Sequence, residues 1–225
     1  MVSIDYKKLY RLQDRVLDTV FGCENEFYLT GGTCLGRFYQ EKRYSDDLDF
    51  FTNKSSRYGF AVKNIKQALQ RDFNLAVKVE SKNFTRFKID GLLQIDFVND
   101  VAVRYKDVKV LKNSYIIDNV ENILSNKLTA VIGRDNPKDI FDIYLISKFY
   151  TFSWSDILNS AHKKAGFSNE DLIIRLKSFP SDLLKRINLA DINFLDNFED
   201  EFVKIIEDMV TELGDGHKKT NKLPW

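Results

Sequence analysis

The sequence predicts a two-lobed protein of the α+β kind. An N-terminal α/β lobe with a mixed sheet covers residues 1–118, and an all-helical lobe covers residues 119–225. Three observations carry this. Short apolar strands alternate with helical patterns as far as Arg71. Strand patterns then flank Asp90-Gly91, a dipeptide suited to a two-residue type I′ hairpin turn. Beyond residue 118 the apolar repeat is helical.

The elements follow in order. Ile4, Leu9, Leu12, Val16, Leu17, Val20 and Phe21 recur at helical spacing, so residues 3–21 read as an amphipathic helix that Gly22 stops. Residues 27–30 form a short apolar strand ending at Gly31-Gly32, and a helix opens at Gly32 or Thr33 and runs to about Tyr39. Residues 47–51 are the next strand and residues 58–71 the next helix. Strands then fit residues 75–81, 84–89 and 92–98, with a short one near 108–111. An α/β lobe with a mixed sheet accounts for this order.

In the second half, residues 120–132 are helical, with Ile123, Leu124, Leu128 and Val131 on one face. Asn136-Pro137 opens another helix, Asn as cap and Pro at its first position. Further helices fit residues 154–164, 169–177, 181–187 and 197–213. The polar tail from Gly214 onward reads as loosely ordered apart from its Leu-Pro-Trp end.

Composition narrows the function classes. With 34 basic and 33 acidic residues the net charge is +1, so any nucleic-acid contact must rest on a local patch. Lys82, Arg86 and Lys88 alternate on one strand, and Arg104, Lys106, Lys109 and Lys112 cluster; either group could bind RNA phosphates, and solvated surface is the plainer reading for both. Apolar runs of only a few residues predict no membrane span. Cys23 and Cys34 are too few for a disulfide framework, and Met1 to Lys8 carries no signal-type apolar run. The expectation is a reduced, cytoplasmic protein. His162 and His217 stand apart in sequence, which argues against zinc.

The chemistry concentrates between Tyr28 and Phe51. Strand, Gly31-Gly32-Thr33, then helix is a turn where backbone can approach a phosphate without a Cβ in the way. The helix N-terminus adds free N–H groups and a favourable dipole, and Thr33 adds a hydroxyl. Many tight turns share this pattern. Asp47 and Asp49 lie at i and i+2 of a strand, so they project together, roughly 6–7 Å apart at Cα. A divalent cation would relieve their repulsion. Two magnesium ions about 3.5–4 Å apart would suit phosphoryl transfer. The same acids also fit a solvated strand end. Asp96, between Ile95 and Phe97, is either a solvent-facing edge residue or a third ligand able to accept a proton.

Lys127 and Arg134, seven residues apart, share a helix face and suit phosphate oxygens or an RNA backbone. Ordinary solvated charge is the plainer reading. Asp139 suits a helix N-terminus. Asp142, among Ile140, Phe141 and Ile143, needs a partner, for which Lys127 and Arg134 are candidates.

Gly31-Gly32-Thr33, Asp47-Leu48-Asp49 and Ile95-Asp96 resemble the DNA polymerase β-like nucleotidyltransferase superfamily. Leu29 to Thr33, Arg43 to Phe51, Asn126 to Ala130 and Lys138 to Tyr144 are similar to the AbiEii/AbiGii nucleotidyltransferase toxin family. That resemblance implies a nucleotidyltransferase lobe joined to a helical lobe. It implies transfer of NMP from an NTP to an acceptor hydroxyl, with two Mg2+ ions. It also implies a toxin with a separate antitoxin protein, in a toxin–antitoxin or phage-defence system. Relatives modify the 3′ end of tRNA, which makes RNA the expected acceptor. Residue by residue it places Gly32 and Thr33 on the phosphate turn that Gly31 opens, Asp47 and Asp49 on the metal pair, and Asp96 on the third carboxylate. It places Lys127 on the lysine that opens the family's helical motif, and Asp139 and Asp142 on its later acids. Transfer to a protein or small molecule, and a non-catalytic nucleotide-binding protein, are the alternatives.

Overall fold

The structure is a computed structural model and describes residues 5–220. The chain forms two compact units. One takes in residues up to Tyr39 and Tyr44–Asn119; the other takes in Gln40–Arg43 and everything described from Val120.

The first unit opens with α1 (Tyr6–Cys23), whose cap Asp5 accepts a hydrogen bond from the Lys8 N–H at 3.1 Å. Leu9, Leu12, Val16, Leu17 and Val20 form its buried stripe. β1 (Tyr28–Thr30), α2 (Gly31–Phe38), β2 (Asp47–Asn53) and α3 (Tyr58–Asp72) follow. Then come β3 (Leu75–Glu80), β4 (Phe84–Ile89), β5 (Leu93–Asp100), β6 (Lys109–Val110) and β7 (Ile116–Ile117). The seven strands make one sheet in the order β3-β4-β5-β2-β1-β7-β6. β2 runs parallel to β5 and β1 parallel to β7, while the other neighbours are antiparallel, so the sheet is mixed. Along β2 the pattern is strict alternation: Leu48, Phe50 and Thr52 are buried, and Asp47, Asp49 and Phe51 are half-exposed. Phe50 stacks on Phe97 of β5 at 5.2 Å between ring centres, and Phe27 and Phe87 pack edge-on or tilted around Phe97.

Several expectations are corrected. β7, two residues long, carries too little pattern to be read from sequence. The β4–β5 hairpin does turn through Asp90 and Gly91, both with positive φ (50° and 66°) and closed by Leu92 N–H to Ile89 C=O at 2.9 Å. Ile89, however, faces Leu93, so three residues intervene rather than two. α1 runs past Gly22 to Cys23.

The second unit is helical: α4 (Val120–Gly133), α5 (Pro137–Phe149), α6 (Trp154–His162), α7 (Asn169–Lys177), a 3-10 helix (Ser181–Arg186) and α8 (Phe198–Thr220). Caps mark the starts: Asn136 accepts from Lys138 N–H, Ser153 from Asp156 N–H and Ser168 from Asp171 N–H. Eight consecutive residues of α5, Asp139 to Ile146, are buried, so this helix is the core of its unit. α8 continues through Gly214-Asp215-Gly216 to Thr220, where the sequence predicts a loose tail; the Leu223-Pro224-Trp225 end lies outside the described residues. The stretch Gln40–Arg43 is pinned within this unit. Lys42 C=O accepts from Ala190 N–H at 3.0 Å, and Arg43 bridges Leu189. Among the described residues no helix is long and apolar enough to cross a membrane.

Candidate active site

The glycine turn and the first carboxylates are built together. Gly31 opens α2 with φ +72°, a left-handed backbone that favours glycine. A Cβ there would stand 2.7 Å from Asp49 Oδ2, so the backbone approaches that carboxylate where only glycine fits. Thr30, at the cap position of α2, makes no capping bond with its side chain. Its hydroxyl donates instead to Asp118 Oδ2 at 2.5 Å. The first-turn N–H groups of Gly31, Gly32 and Thr33 are therefore not consumed by the cap side chain, which suits an anion. The Thr33 hydroxyl does not share that direction. It is buried and donates to the Asp47 main-chain oxygen at 2.5 Å, tying α2 to the head of β2.

Asp47 and Asp49 sit on the half-exposed face of β2. Asp49 lies opposite Asp96 of β5, and Asp96 lies opposite Arg86 of β4. Arg86 takes both oxygens of Asp96: Nε donates to Oδ1 at 2.7 Å and Nη2 to Oδ2 at 2.6 Å. Gln94 Nε2 adds a long contact to Oδ2 at 3.4 Å. Among the described residues no three His, Cys, Asp or Glu side chains are gathered closely enough to hold a metal ion. The donor chemistry of Asp47 and Asp49, two hard carboxylates on one strand face, fits Mg2+. Asp96, expected as the third ligand, is held by a guanidinium fork instead.

In the helical unit the expected residues form a charge chain. Lys127 Nζ lies 2.9 Å from Asp139 Oδ1 and 2.7 Å from Asp142 Oδ2. Arg134 donates to both oxygens of Asp139 at 2.7 and 3.1 Å. Asp142, fully buried, receives Arg43 as well: Nε and Nη2 each donate at 2.8 Å. Burial works against charge on Lys127, but Asp142 and then Asp139 outweigh it and hold the ammonium above its ordinary range. Burial likewise works against both carboxylates. Arg43 and Lys127 still hold Asp142 below the usual range, and Lys127 and Arg134 do the same for Asp139. Lys127 is thus committed to carboxylates of α5 and largely withdrawn from solvent, whereas Arg134 pairs with Asp139 while its side chain stays 58% exposed.

Three contributors were not singled out from sequence: Arg43, Arg86 and Asp118. Arg43 and Asp142 are 99 residues apart, and Thr30 and Asp118 are 88 apart, so no local spacing connects them. Arg86 was legible only as one of three alternating cations. Of the other basic cluster, Arg104 lies over Tyr28, Lys106 over Tyr105 and Lys109 over Tyr39, each a cation–π pair.

Comparison with known proteins gives consistent relatives. The family model described as nucleotidyl transferase AbiEii toxin, type IV TA system, matches residues 15–222. No curated protein matches. Among solved structures, JHP933 from Helicobacter pylori is similar at 20% identity, covering 98% of each chain, with TM-score 0.59. A putative nucleotidyltransferase from H. pylori is similar at 21% identity over 100% of each chain, with TM-score 0.54. MenT4, a nucleotidyltransferase toxin of Mycobacterium tuberculosis H37Rv, is similar at 14% identity over 92% of this chain and 84% of its own, with TM-score 0.60. At these identities the likeness is one of fold.

Proposed function

The chain belongs to the AbiEii nucleotidyl transferase toxin family of type IV toxin–antitoxin systems, and from that premise we propose that this nucleotidyltransferase moves an NMP from an NTP onto an RNA hydroxyl, the 3′ end of a tRNA. One observation supports the reading above the others. The turn suited to phosphate and the carboxylate suited to metal are in contact, with Gly31 backed against Asp49 Oδ2. Phosphate and cation would therefore meet in one place.

In the proposed reaction the N–H groups of Gly31, Gly32 and Thr33 receive the oxygens of the β and γ phosphates. Asp47 and Asp49 would hold Mg2+, which when bound neutralises charge at the α-phosphate. Thr33 fixes the spacing between turn and strand through the Asp47 main-chain oxygen. Asp96, once released by Arg86, is the carboxylate available to take the proton of the attacking hydroxyl. The hydroxyl oxygen bonds to the α-phosphorus and pyrophosphate leaves. Lys127, with Arg134, Asp139 and Asp142, is assigned to the charge chain that holds the helical unit together. The nucleotidyl chemistry is assigned to residues 1–118 apart from Gln40–Arg43, and the support to the helical remainder. A separate antitoxin protein and a cytoplasmic setting complete the proposal.

Incubation with each labelled NTP, Mg2+ and total bacterial RNA tests it, with Asp47→Ala/Asp49→Ala as control. Label is expected on RNA with the wild type and is expected to fall by at least a hundredfold in the control, since charge neutralisation at a transferring phosphoryl group is a large part of the rate. Label on protein and none on RNA would replace the acceptor. Induced expression in a bacterial host tests toxicity: arrest with the wild type and growth with the double variant are expected. Equal arrest by both would remove catalysis from the toxic mechanism.

A further inference from the structure

We propose that Arg86 is a built-in counter-cation of the carboxylate cluster, and that Asp96 passes to a divalent cation only when Arg86 lets go. The inference rests on reading Asp47 and Asp49 as the metal pair.

The sheet register sets the parts in two rows. Arg86, Asp96 and Asp49 lie opposite one another across β4, β5 and β2. Lys88, Gln94 and Asp47 form the next row in the same order. Residues directly opposite share a face, so both cations, the three acids and Gln94 project to one side of the sheet. Three carboxylates on one face repel each other, and that repulsion opposes folding in the absence of a bound cation. Arg86 answers it. Its two donors meet the two Asp96 oxygens at 2.7 and 2.6 Å, the fork geometry that makes guanidinium–carboxylate pairs strong and directional. Asp96, through the fork, draws the guanidinium above its ordinary range, with smaller contributions from Asp49 and then Asp47.

The two ends of the pair are unequally placed. The Asp96 side chain is 9% exposed and the Arg86 side chain 37%. Asp96 therefore stays on the sheet whatever its partner, whereas Arg86 has solvent to move into. Solvent reaches the fork from the arginine end alone, and screening there opens a route to exchange. Exchange also keeps a counter-charge on the acids throughout. One positive charge leaves the cluster as a divalent cation enters, so the acids never stand uncompensated. The device makes cation binding weaker than the bare carboxylates would give, because every binding event first breaks the fork.

Titration with Mn2+ alone, without nucleotide, tests this by electron paramagnetic resonance of free Mn2+. Arg86→Gln is expected to bind Mn2+ about tenfold more tightly than the wild type, the effect of removing roughly one near charge at an intermediate dielectric. Arg86→Lys, which keeps the charge but cannot grip both oxygens, is expected between the two and guards against a glutamine variant that folds poorly. Thermal melts supply the second readout. Mn2+ is expected to raise the melting temperature of Arg86→Gln by more than that of the wild type. Affinity in both variants equal to or below that of the wild type overturns the proposal. If Asp47→Ala/Asp49→Ala binds Mn2+ as well as the wild type, the metal-pair reading itself fails. Loss of binding there with no gain in the Arg86 variants sinks the counter-cation alone.

Discussion

Gly31 is where backbone and site chemistry press closest together. Two independent constraints meet on it, the left-handed φ of +72° and the 2.7 Å approach of its missing Cβ to Asp49 Oδ2. Gly31→Ala therefore carries a conformational cost of about 1–2 kcal/mol, which denaturant melts would register. The larger effect falls on activity, because the flexible neighbour that must yield is Asp49 itself. A loss of nucleotidyl transfer well beyond what the lost stability explains is expected from single-turnover assays. Activity and stability falling in proportion would mean that Asp49 is not placed by this contact. The presence of this glycine was readable from sequence, because Gly-Gly between a strand and a helix is a local pattern. Its reason was not readable, since Asp49 is brought beside it only by the pairing of β1 with β2, which sets Asp49 opposite the preceding Thr30.

Among elements, the charge chain of the helical unit is the one whose energetics can be checked most directly. Asp142 is held by Arg43, whose side chain is buried, and by Lys127, whose side chain is 12% exposed. Replacing it with Asn leaves the three cations of the chain, Arg43, Lys127 and Arg134, with Asp139 as its one carboxylate, and a cost of about 3–5 kcal/mol is expected for breaking a buried pair. The pH dependence has a definite sign. Folded Asp139 and Asp142 lie below the ordinary 3.8. Their contribution is complete above 3.8 and is lost as pH falls through the lowered folded values. Lys127 is raised above 10.5, so its contribution is complete below 10.5 and is lost as pH climbs through the raised value. The stability gap between wild type and Asp142→Asn, followed by urea melts, is expected to be flat near neutrality and to shrink in acid below 3.8. A gap that persists unchanged in strong acid would show that Asp142 acts by packing. The hairpin of β4 and β5 shows what element-level reading loses. A two-residue turn at Asp90-Gly91 would set Ile89 against Leu92 and Arg86 against Ile95. The three-residue connection sets Arg86 against Asp96. One residue of register thus separated a solvated strand of cations from a cation seated on a site carboxylate. The i, i+2 spacing of Asp47 and Asp49 survived such errors because it is internal to one strand.

At the scale of the whole molecule, the chain divides where its pattern changes, after Asn119, but not there alone. Helical periodicity does begin near residue 118, but Gln40–Arg43 also belongs to the helical unit. Nothing local announces this, because Arg43 looks like one more surface cation until Asp142 is found beside it. A fragment beginning at Val120 would lack Arg43. It is expected to melt at a lower temperature than the helical unit of the intact chain, by circular dichroism, with a deficit close to that of Arg43→Leu in the full-length protein. A fragment as stable as the intact unit would reduce the Arg43–Asp142 pair to a surface ornament. The same excursion bears on how such proteins can change over time. A crossover between two homologous genes at the visible boundary would hand the recipient a foreign helical half while keeping its own Gln40–Arg43. The chimera would inherit an arginine matched to a carboxylate it no longer carries, unless both parents keep the pair. Positions 43 and 142 should therefore travel through descent as one unit of inheritance, although the chain holds 98 residues between them.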